Sequence, residues 1–270
     1  MSMRKMITVA AIAASAMVPS PSWATAKEAT LALAGYTGTT TLTNFQALVK
    51  LNEGRFGFSY DDCASDGSDI RFANAEGDLI PHEIDTWNPE GESLIWVGLP
   101  VLTKDATFTM YYGADNPGPA STANLWSLAG YAGVWHLTDG HDSSASGLDG
   151  TLVAGITAAA DAKLGGALDF NKVKMSVGMT DNGDFTNGFS LTGWCWPKST
   201  GTKALFGKAD AMSVRIEGEN IKLTTPRVKD HAAVDCDIKA EEWFHFDMNG
   251  GYGECIIIYH GDGISSLYAH

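Results

Sequence analysis

Short apolar runs in which every second residue is hydrophobic recur along the chain, and clusters of Gly, Asn and Asp separate them. Alternation with period two is typical of half-buried strands, whereas a helix requires an apolar repeat of about 3.6 residues. No helical repeat persists beyond the N-terminal segment. The pattern therefore predicts an all-β protein with two β-sandwich domains, the second a jelly roll.

The apolar runs define the predicted strands. In the first half they are Leu42–Leu51, Ile70–Ala73, Ile80–Trp87, Leu94–Leu99 and Phe108–Tyr112. In the second half they are Gly133–Leu137, Ala167–Phe170, Phe189–Trp196, Ala204–Lys208, Met212–Glu217, Asn220–Thr225, Trp243–Met248 and Cys255–Tyr259. Within Ile80–Trp87 the alternation turns Ile84 towards the core. Glu83 and Asp85 then share the opposite face, which we expect to be solvated.

The N-terminus has the layout of a cleavable signal peptide. Arg4 and Lys5 precede an apolar stretch from Met6 to Val18, and a turn-prone segment then ends in Ala24-Thr25-Ala26. The apolar stretch is shorter than the roughly 20 residues that span a bilayer, so no membrane-spanning segment is expected. We predict removal of residues 1–26 and export to the periplasm, the cell surface or the medium.

A segment rich in Pro, Gly and Ser separates the two halves of the remaining chain. It reads Asp115-Asn-Pro-Gly-Pro-Ala-Ser-Thr122, a composition typical of linkers. It predicts a first β-sandwich module at residues 27–119 and a second β-sandwich at residues 120–270.

The chain is strongly acidic, with 32 Asp and Glu against 18 Lys and Arg and a formal net charge of −14 at pH 7. There is no cluster of basic side chains to offset this charge locally. Such a field repels nucleic acid phosphates and anionic lipid surfaces. Nucleic acid is therefore excluded as a partner.

Four cysteines, Cys63, Cys195, Cys236 and Cys255, follow the predicted signal peptide. In an exported protein they are able to form disulfides, and the pairing stays open. Our preferred hypothesis is a bridge between Cys236 and Cys255, which we expect on neighbouring strands. Because no Cys-x-x-Cys occurs, a zinc knuckle or a thioredoxin-like site is not expected.

Residues 45–113 resemble a bacterial domain of unknown function, number 2341, found in exported proteins and in some proteins associated with ExbB/TolQ-type proton channels. The resemblance rests on Ser68-Asp-Ile-Arg-Phe72, the turn at Gly77, Leu79-Ile-Pro with Glu83-Ile84, Trp96-Val97 and Tyr112-Gly113. That family carries no established activity. The resemblance implies an architecture and a compartment but no site.

The second half resembles a laminin-G or concanavalin-A-like domain. The residues that carry the resemblance are Gly133-Val-Trp-His-Leu137, Asp142-Ser-Ser-Ala-Ser-Gly-Leu-Asp-Gly-Thr151, Gly165-Gly-Ala-Leu-Asp-Phe170, Phe189–Trp194 and Trp243–Phe246. Such domains usually continue past the equivalent of Ile256–Tyr259 with a further strand. An incomplete sandwich would leave an open sheet edge, through which we expect self-association.

Glu83-Ile-Asp85 is the best candidate for catalytic chemistry. Concanavalin-A-like glycosidases carry Glu-x-Asp-x-Glu on one strand, so that all three carboxylates point into one cleft. Here Trp87 stands at the third position, and Pro89 interrupts the strand before Glu90. Glycoside hydrolysis needs a matched pair of carboxyl groups. The sequence therefore favours a binding protein over an enzyme, with hydrolysis through Glu83 and Asp85 as the alternative.

The sequence offers few candidate metal ligands and no histidine motif. Asp139, Asp142 and Asp149 lie in one Gly-rich loop and offer oxygen ligands to calcium, although Asp-Gly is also common turn chemistry. The seven histidines are dispersed without a zinc motif. His136 and His245 are interpreted as partly buried strand residues.

Tryptophan is the residue type most relevant to sugar binding, because its ring stacks on sugar rings. Most of the eight tryptophans fall inside predicted strands. We expect Trp87, Trp126 and Trp196 to be the accessible ones and therefore the candidate ligand contacts.

The resulting hypothesis is an exported, non-catalytic binding or adhesion protein that recognises a carbohydrate or a cell-envelope protein. Two alternatives stay open. One is a glycoside hydrolase of the concanavalin-A-like type, and the other is an accessory of an ExbB/TolQ-type envelope complex, which rests on the family resemblance alone.

Overall fold

The computed structural model describes residues 9–11, 26–33, 36, 38–114, 117, 119–121, 123–178, 189–208, 212–225, 228–232, 237–250, 255–260 and 264–269. The all-β fold class is confirmed, since strands dominate these residues and the sheets are antiparallel. The chain divides into two compact units, Ile7–Gly178 and a unit that includes Met179–His270. Over the described ranges, no helix has the length and apolar character needed to cross a membrane.

The elements of the first unit are β1 (Val9–Ala11), β2 (Lys27–Leu33), β3 (Leu42–Leu51), β4 (Arg71–Ala73), β5 (Leu79–Ile80), β6 (His82–Thr86), β7 (Ser93–Leu102), β8 (Thr107–Tyr112), α1 (Leu125–Leu128), β9 (Gly150–Thr151), β10 (Thr157–Ala158), β11 (Leu168–Asp169) and β12 (Ser176–Val177). Short 3₁₀ turns occur at Arg55–Gly57 and Tyr60–Asp62. The strands form a sheet in the order β1-β2-β8-β4-β5, a sheet β3-β7-β6, and the pairs β10-β11 and β12-β9.

The two larger sheets of this unit share one hydrophobic core. The alternation predicted from the sequence places every second side chain of β3 inward, and Ala47, Val49 and Leu51 are fully buried there. Phe72 and Phe108 come from the other sheet and belong to the same cluster. Burial of a large apolar side chain contributes roughly 1.5–3 kcal/mol, so this shared core holds the two sheets face to face.

The outer face of the sheet β3-β7-β6 is also covered. Trp96 on β7 lies opposite Leu48 on β3 and opposite Glu83 on β6, so all three side chains share that face. Helix α1 packs on β3 and β7. Its N-cap is Asn124, whose side-chain oxygen accepts hydrogen bonds from the backbone N–H groups of Trp126 and Ser127.

A β-bulge interrupts the pairing of β6 with β7 between Ile84 and Thr86. An extra residue in one strand breaks the strict alternation of faces. Trp87, which follows the bulge, packs on the core side with its ring edge-on to Tyr60, at 5.1 Å between ring centroids. In a regular strand the side chains at positions 83, 85 and 87 would point to the same face. Here the side chain at position 87 points to the core instead, so the three do not share one cleft.

The strands of the second unit are β13 (Phe189–Cys195), β14 (Lys203–Lys208), β15 (Met212–Glu217), β16 (Asn220–Thr225), β17 (Val228–Ala232), β18 (Phe244–Gly250), β19 (Cys255–His260) and β20 (Ile264–Ala269). They form a sheet β14-β15-β16-β17 and the pairs β13-β18 and β19-β20. Val214 and Ile216 are fully buried in a core to which Phe244 also contributes. The jelly-roll strand order that the sequence predicts for the second half stays a prediction.

Three expectations from the sequence are compared with the structure here. The strand predicted at Gly133–Leu137 is wrong, because this segment is a loop. The division by contacts follows Gly178, and the boundary predicted between residues 119 and 120 stays a prediction. Within the predicted signal peptide, the backbone of Val9–Ala11 pairs with Leu31–Leu33 of β2. Cleavage of that segment stays a prediction.

Candidate functional site

The carboxylate of Glu83 is the centre of a polar cluster on the outer face of β6. It accepts hydrogen bonds from the indole N–H of Trp126, from the Ser143 hydroxyl at 2.6 Å, and it bonds to Nε2 of His136 at 3.0 Å. These partners come from α1 and from the loop that follows it. Only 27% of the Glu83 side chain is exposed. The face that we expected to be solvated is therefore largely covered, and that expectation is wrong.

His136 stands between two carboxylates. Its Nε2 faces Oε1 of Glu83, and its Nδ1 lies 3.4 Å from Oδ2 of Asp85. The imidazole also stacks near Trp96, with 24° between the ring planes. A partly buried ring with an anion at each nitrogen has the surroundings of an imidazolium, because only the protonated form donates from both nitrogens.

Asp85 is the more enclosed of the two acids, with 4% of its side chain exposed. Its Oδ2 accepts the indole N–H of Trp96 at 3.1 Å. The backbone of Gly165 approaches it closely, since a Cβ added to that glycine would lie 3.0 Å from Oδ1 of Asp85. The glycine is in the left-handed region with φ of 56°. Its missing side chain allows the chain to close over Asp85.

The pKa values of the cluster follow from competing influences. Burial raises the pKa of Glu83, but the hydrogen bonds from His136, Ser143 and Trp126 outweigh burial and hold the pKa below its usual 4.5. Burial lowers the pKa of His136, but the hydrogen bond to Glu83 and the charges of Asp85 and Glu83 raise it above 6.5. Both shifts favour the charged pair.

Asp142 organises the loop that delivers His136 and Ser143. Its buried carboxylate accepts hydrogen bonds from the backbone N–H groups of Val134, Ser144 and Leu148 and from the Ser144 hydroxyl. Burial raises the pKa of Asp142, but these backbone hydrogen bonds outweigh it and lower the pKa. One side chain thus satisfies several backbone donors of a loop that has little ladder pairing.

The three aspartates predicted to bind calcium already serve this loop. Asp139 accepts the backbone N–H of His141 at 2.8 Å, and Asp149 accepts the backbone N–H of Asp142 at 2.9 Å and faces Nδ1 of His141. For the residues that the structure describes, no group of three or more His, Cys, Asp or Glu side chains has the arrangement of a metal site. Calcium binding stays a prediction.

The three candidate tryptophans differ in exposure. Trp126 is only 4% exposed and Trp87 packs against the core, so the expected accessibility of these two rings is wrong. Trp196 is 38% exposed and is the accessible ring of the three. A role for any of them in ligand binding stays a prediction.

A shallow groove of about 260 Å³ opens between β3, β7 and α1 in the first unit. Leu99, Pro100, Leu125 and Leu128 supply its apolar lining, and Gln46 supplies an amide. That amide already donates to the backbone oxygen of Asn44. The groove is therefore mainly an apolar surface beside exposed Leu128.

The thiols of Cys63 and Cys195 are free. Burial and, to a smaller extent, the nearby charge of Asp69 raise the pKa of Cys63 to about 12. Burial raises the pKa of Cys195 to about 11. Such thiols are poor nucleophiles at neutral pH. The predicted bridge between Cys236 and Cys255 lies outside the residues whose side chains are described.

His136 and Ser143 are the members of the cluster that sequence reasoning missed. His136 was interpreted as a strand residue, and Ser143 lay in a loop considered for calcium and for the laminin-G resemblance. Sixty residues separate Ser143 from Glu83. The local sequence Asp142-Ser-Ser is typical of a hydrogen-bonded turn. It does not reveal that Ser143 contacts a residue as distant as Glu83.

These features define an all-β protein. On one sheet face it carries a largely covered cluster of acidic and aromatic side chains around Glu83, Asp85 and His136. Residues 66–127 match the model of a domain of unknown function, DUF2341. The matched segment contains Glu83, Asp85, Trp96 and Trp126, whereas His136 and Ser143 lie beyond it. No curated protein and no solved structure matches the chain.

Proposed function

We propose that this is an exported, non-catalytic binding or adhesion protein that recognises a carbohydrate. The non-catalytic part is carried by one observation, which is that both acids of the best candidate pair already contact His136. Glu83 bonds to its Nε2, and Asp85 lies 3.4 Å from its Nδ1. Their charges stabilise an imidazolium within the protein. Neither acid is left free to serve a substrate.

Hydrolysis receives less support from the same geometry. A glycosidase needs a protonated general acid with a raised pKa opposite a nucleophile or base. The pKa of Glu83 is instead lowered, and Trp87, at the position of the missing third acid, turns into the core. Glu83 therefore lacks the raised pKa of a general acid, and position 87 supplies no carboxyl group.

The binding part of the proposal is supported by Trp196. Its ring is 38% exposed just after β13, and an indole offers a flat apolar face with a polar edge. Sugars present both C–H faces and hydroxyl groups to such a ring. The laminin-G-like and concanavalin-A-like sequence pattern of the second half agrees with this role.

Glycan-array binding with the full chain tests the proposal. We expect binding to at least one glycan class, and we expect Trp196→Ala to raise the Kd at least about tenfold, which is 1.4 kcal/mol. Val153→Ala is the matched control, because Val153 is 43% exposed and lies in the first unit. Binding that Trp196→Ala leaves unchanged would remove this ring from the proposal.

Two other outcomes would replace the proposal. Turnover of a polysaccharide panel that is lost in Glu83→Gln would establish the hydrolase alternative. Co-purification with proton-channel components, together with no glycan binding, would favour the accessory alternative. Absence of binding to glycans and envelope components would end the binding hypothesis.

A further inference from the structure

The loop of residues 131–150 lies over the outer face of β6 and β7, and its polar contacts with β6 converge on two carboxylates. His136 contacts Glu83 and Asp85, and Ser143 donates to Glu83. Asp142 holds the loop together from inside. The loop also bonds to α1, where Asn124 donates to the backbone oxygen of Ser143. Because its internal bonds and its bonds to α1 are separate from its contacts with β6, the loop is able to detach from β6 without losing its own fold.

The attachment requires a particular protonation state. A neutral imidazole has one N–H donor, so its second nitrogen would present a lone pair to a carboxylate. Asp85 is 4% exposed, which leaves little water to compensate the loss. Loss of the proton from His136 therefore removes a cation and also creates repulsion at one of its nitrogens.

The groups around His136 reinforce this dependence. Glu83 and Asp85 face it from β6, and Asp139 adds a further negative charge from the same loop. The rings of Trp96 from β7 and Trp126 from α1 pack against it, and Tyr131 packs on Trp126. The nearby acids thus favour a positive charge on His136, and the two indole rings lie beneath the loop.

We propose that residues 131–150 form a strap whose attachment to β6 depends on the protonated His136, so that alkaline pH loosens the strap and uncovers Trp96 and Trp126. The proposal concerns a conformational device and does not depend on the identity of any ligand. The strap remains part of the folded first unit when it loosens.

The direction of the pH dependence follows from the two shifted groups. Folding raises the pKa of His136 above 6.5, so its stabilisation is complete below pH 6.5 and is lost as the pH rises through the raised value. Folding lowers the pKa of Glu83 below 4.5, so its stabilisation is present above pH 4.5 and is lost as the pH falls through the lowered value. The strap is fastened between these limits.

Hydrogen exchange measured by mass spectrometry on peptides that cover residues 131–150 tests the proposal in the full chain. The protein is labelled at pH 6 and at pH 9, with quenched-flow mixing at the higher pH. The measured exchange rates are then corrected for the intrinsic pH dependence of amide exchange. We expect protection of this segment to fall at least about tenfold at pH 9, because the ion pairs of His136 with Glu83 and Asp85 are then lost. Protection of β3 and β7 should stay unchanged.

Variants separate His136 from other causes. His136→Gln should show low protection of the strap at both pH values, whereas His141→Gln should behave as the wild type, since His141 is 66% exposed and bonds within the loop. Asp85→Asn, with the same shape and one charge fewer, should move the loss to lower pH. Wild-type protection that is unchanged between pH 6 and pH 9 overturns the proposal, even if His136→Gln fails to fold. Low protection of the strap at both pH values in His141→Gln, as expected for His136→Gln, also overturns it.

Discussion

Trp126 donates its indole N–H to Glu83, although 43 residues separate them in sequence. The ring is 4% exposed, so water is a poor substitute for this partner. Trp126→Phe keeps an aromatic ring but removes the donor to a charged acceptor. We expect it to lower the free energy of unfolding by about 1–3 kcal/mol.

Urea unfolding followed by circular dichroism measures this effect without relying on indole emission. Trp196→Phe is the control, because its ring is 38% exposed and surface changes usually stay within about 0.5 kcal/mol. Equal losses in the two variants would contradict the proposed strength of the contact with Glu83.

Asp142→Asn tests whether one carboxylate folds the loop. The amide that replaces one oxygen cannot accept a hydrogen bond, so backbone donors such as Leu148 N–H lose their acceptor. We expect a loss of about 1–3 kcal/mol in the free energy of unfolding. Asp161→Asn, at an exposed position where the carboxylate accepts the next backbone N–H, should have little effect. Thermal unfolding of both variants provides the comparison.

The same hydrogen bonds lead to an expectation for metal removal. Both carboxylate oxygens of Asp142 are engaged by protein donors. We therefore expect the melting temperature to be the same with EDTA and with added calcium. A clear rise with calcium would instead support ligation by Asp139, Asp142 and Asp149.

Gly165→Ala should destabilise the first unit. The residue adopts φ of 56°, and an added Cβ would lie 2.7 Å from Oγ1 of Thr86 and 3.0 Å from Oδ1 of Asp85. Strain and overpacking together suggest a loss of about 1–3 kcal/mol. Gly178→Ala is the control, since no atom of the described residues lies within 4 Å of its added Cβ. Denaturant unfolding of the two variants checks the difference.

The thiol of Cys63 should react slowly in the native protein. Its pKa of about 12 leaves almost no thiolate at pH 8, and burial limits access further. Mass spectrometry after brief alkylation should find this peptide unmodified in the folded chain and modified after denaturation. Ser199→Cys, at an exposed position, should be alkylated quickly under the same conditions. Rapid labelling of native Cys63 would contradict the half-buried placement of this thiol.

The strands were predictable where alternation and turn residues agree. β3, β15 and β16 have the bounds that the sequence predicts, because each carries a clear two-residue repeat. β2 was not predicted, since its Ala- and Thr-rich stretch lies beside the predicted cleavage site and gives a weak apolar signal. Gly133–Leu137 has an apolar pattern but pairs with no strand among the described residues, and the carboxylate of Asp142 accepts the Val134 N–H instead.

The site was predictable only in part. Alternation places Glu83 on the correct face of β6, but it does not show what covers that face. His136 and Ser143 reach it from more than 50 residues away. Trp87 was assigned to the wrong environment because local alternation does not reveal the bulge before it. Which side of a strand a residue occupies is a local property, whereas its accessibility depends on distant segments.

The irregular pairing between Ile84 and Thr86 makes the length of this strand critical. Deletion of one residue there would restore a regular pleat, turn Trp87 outward and leave a hole beside Tyr60. Insertions and deletions should therefore be poorly tolerated between these positions. The turn at residues 74–78, which closes on itself through Asn74 and Asp78, is the more permissive place for a change in chain length.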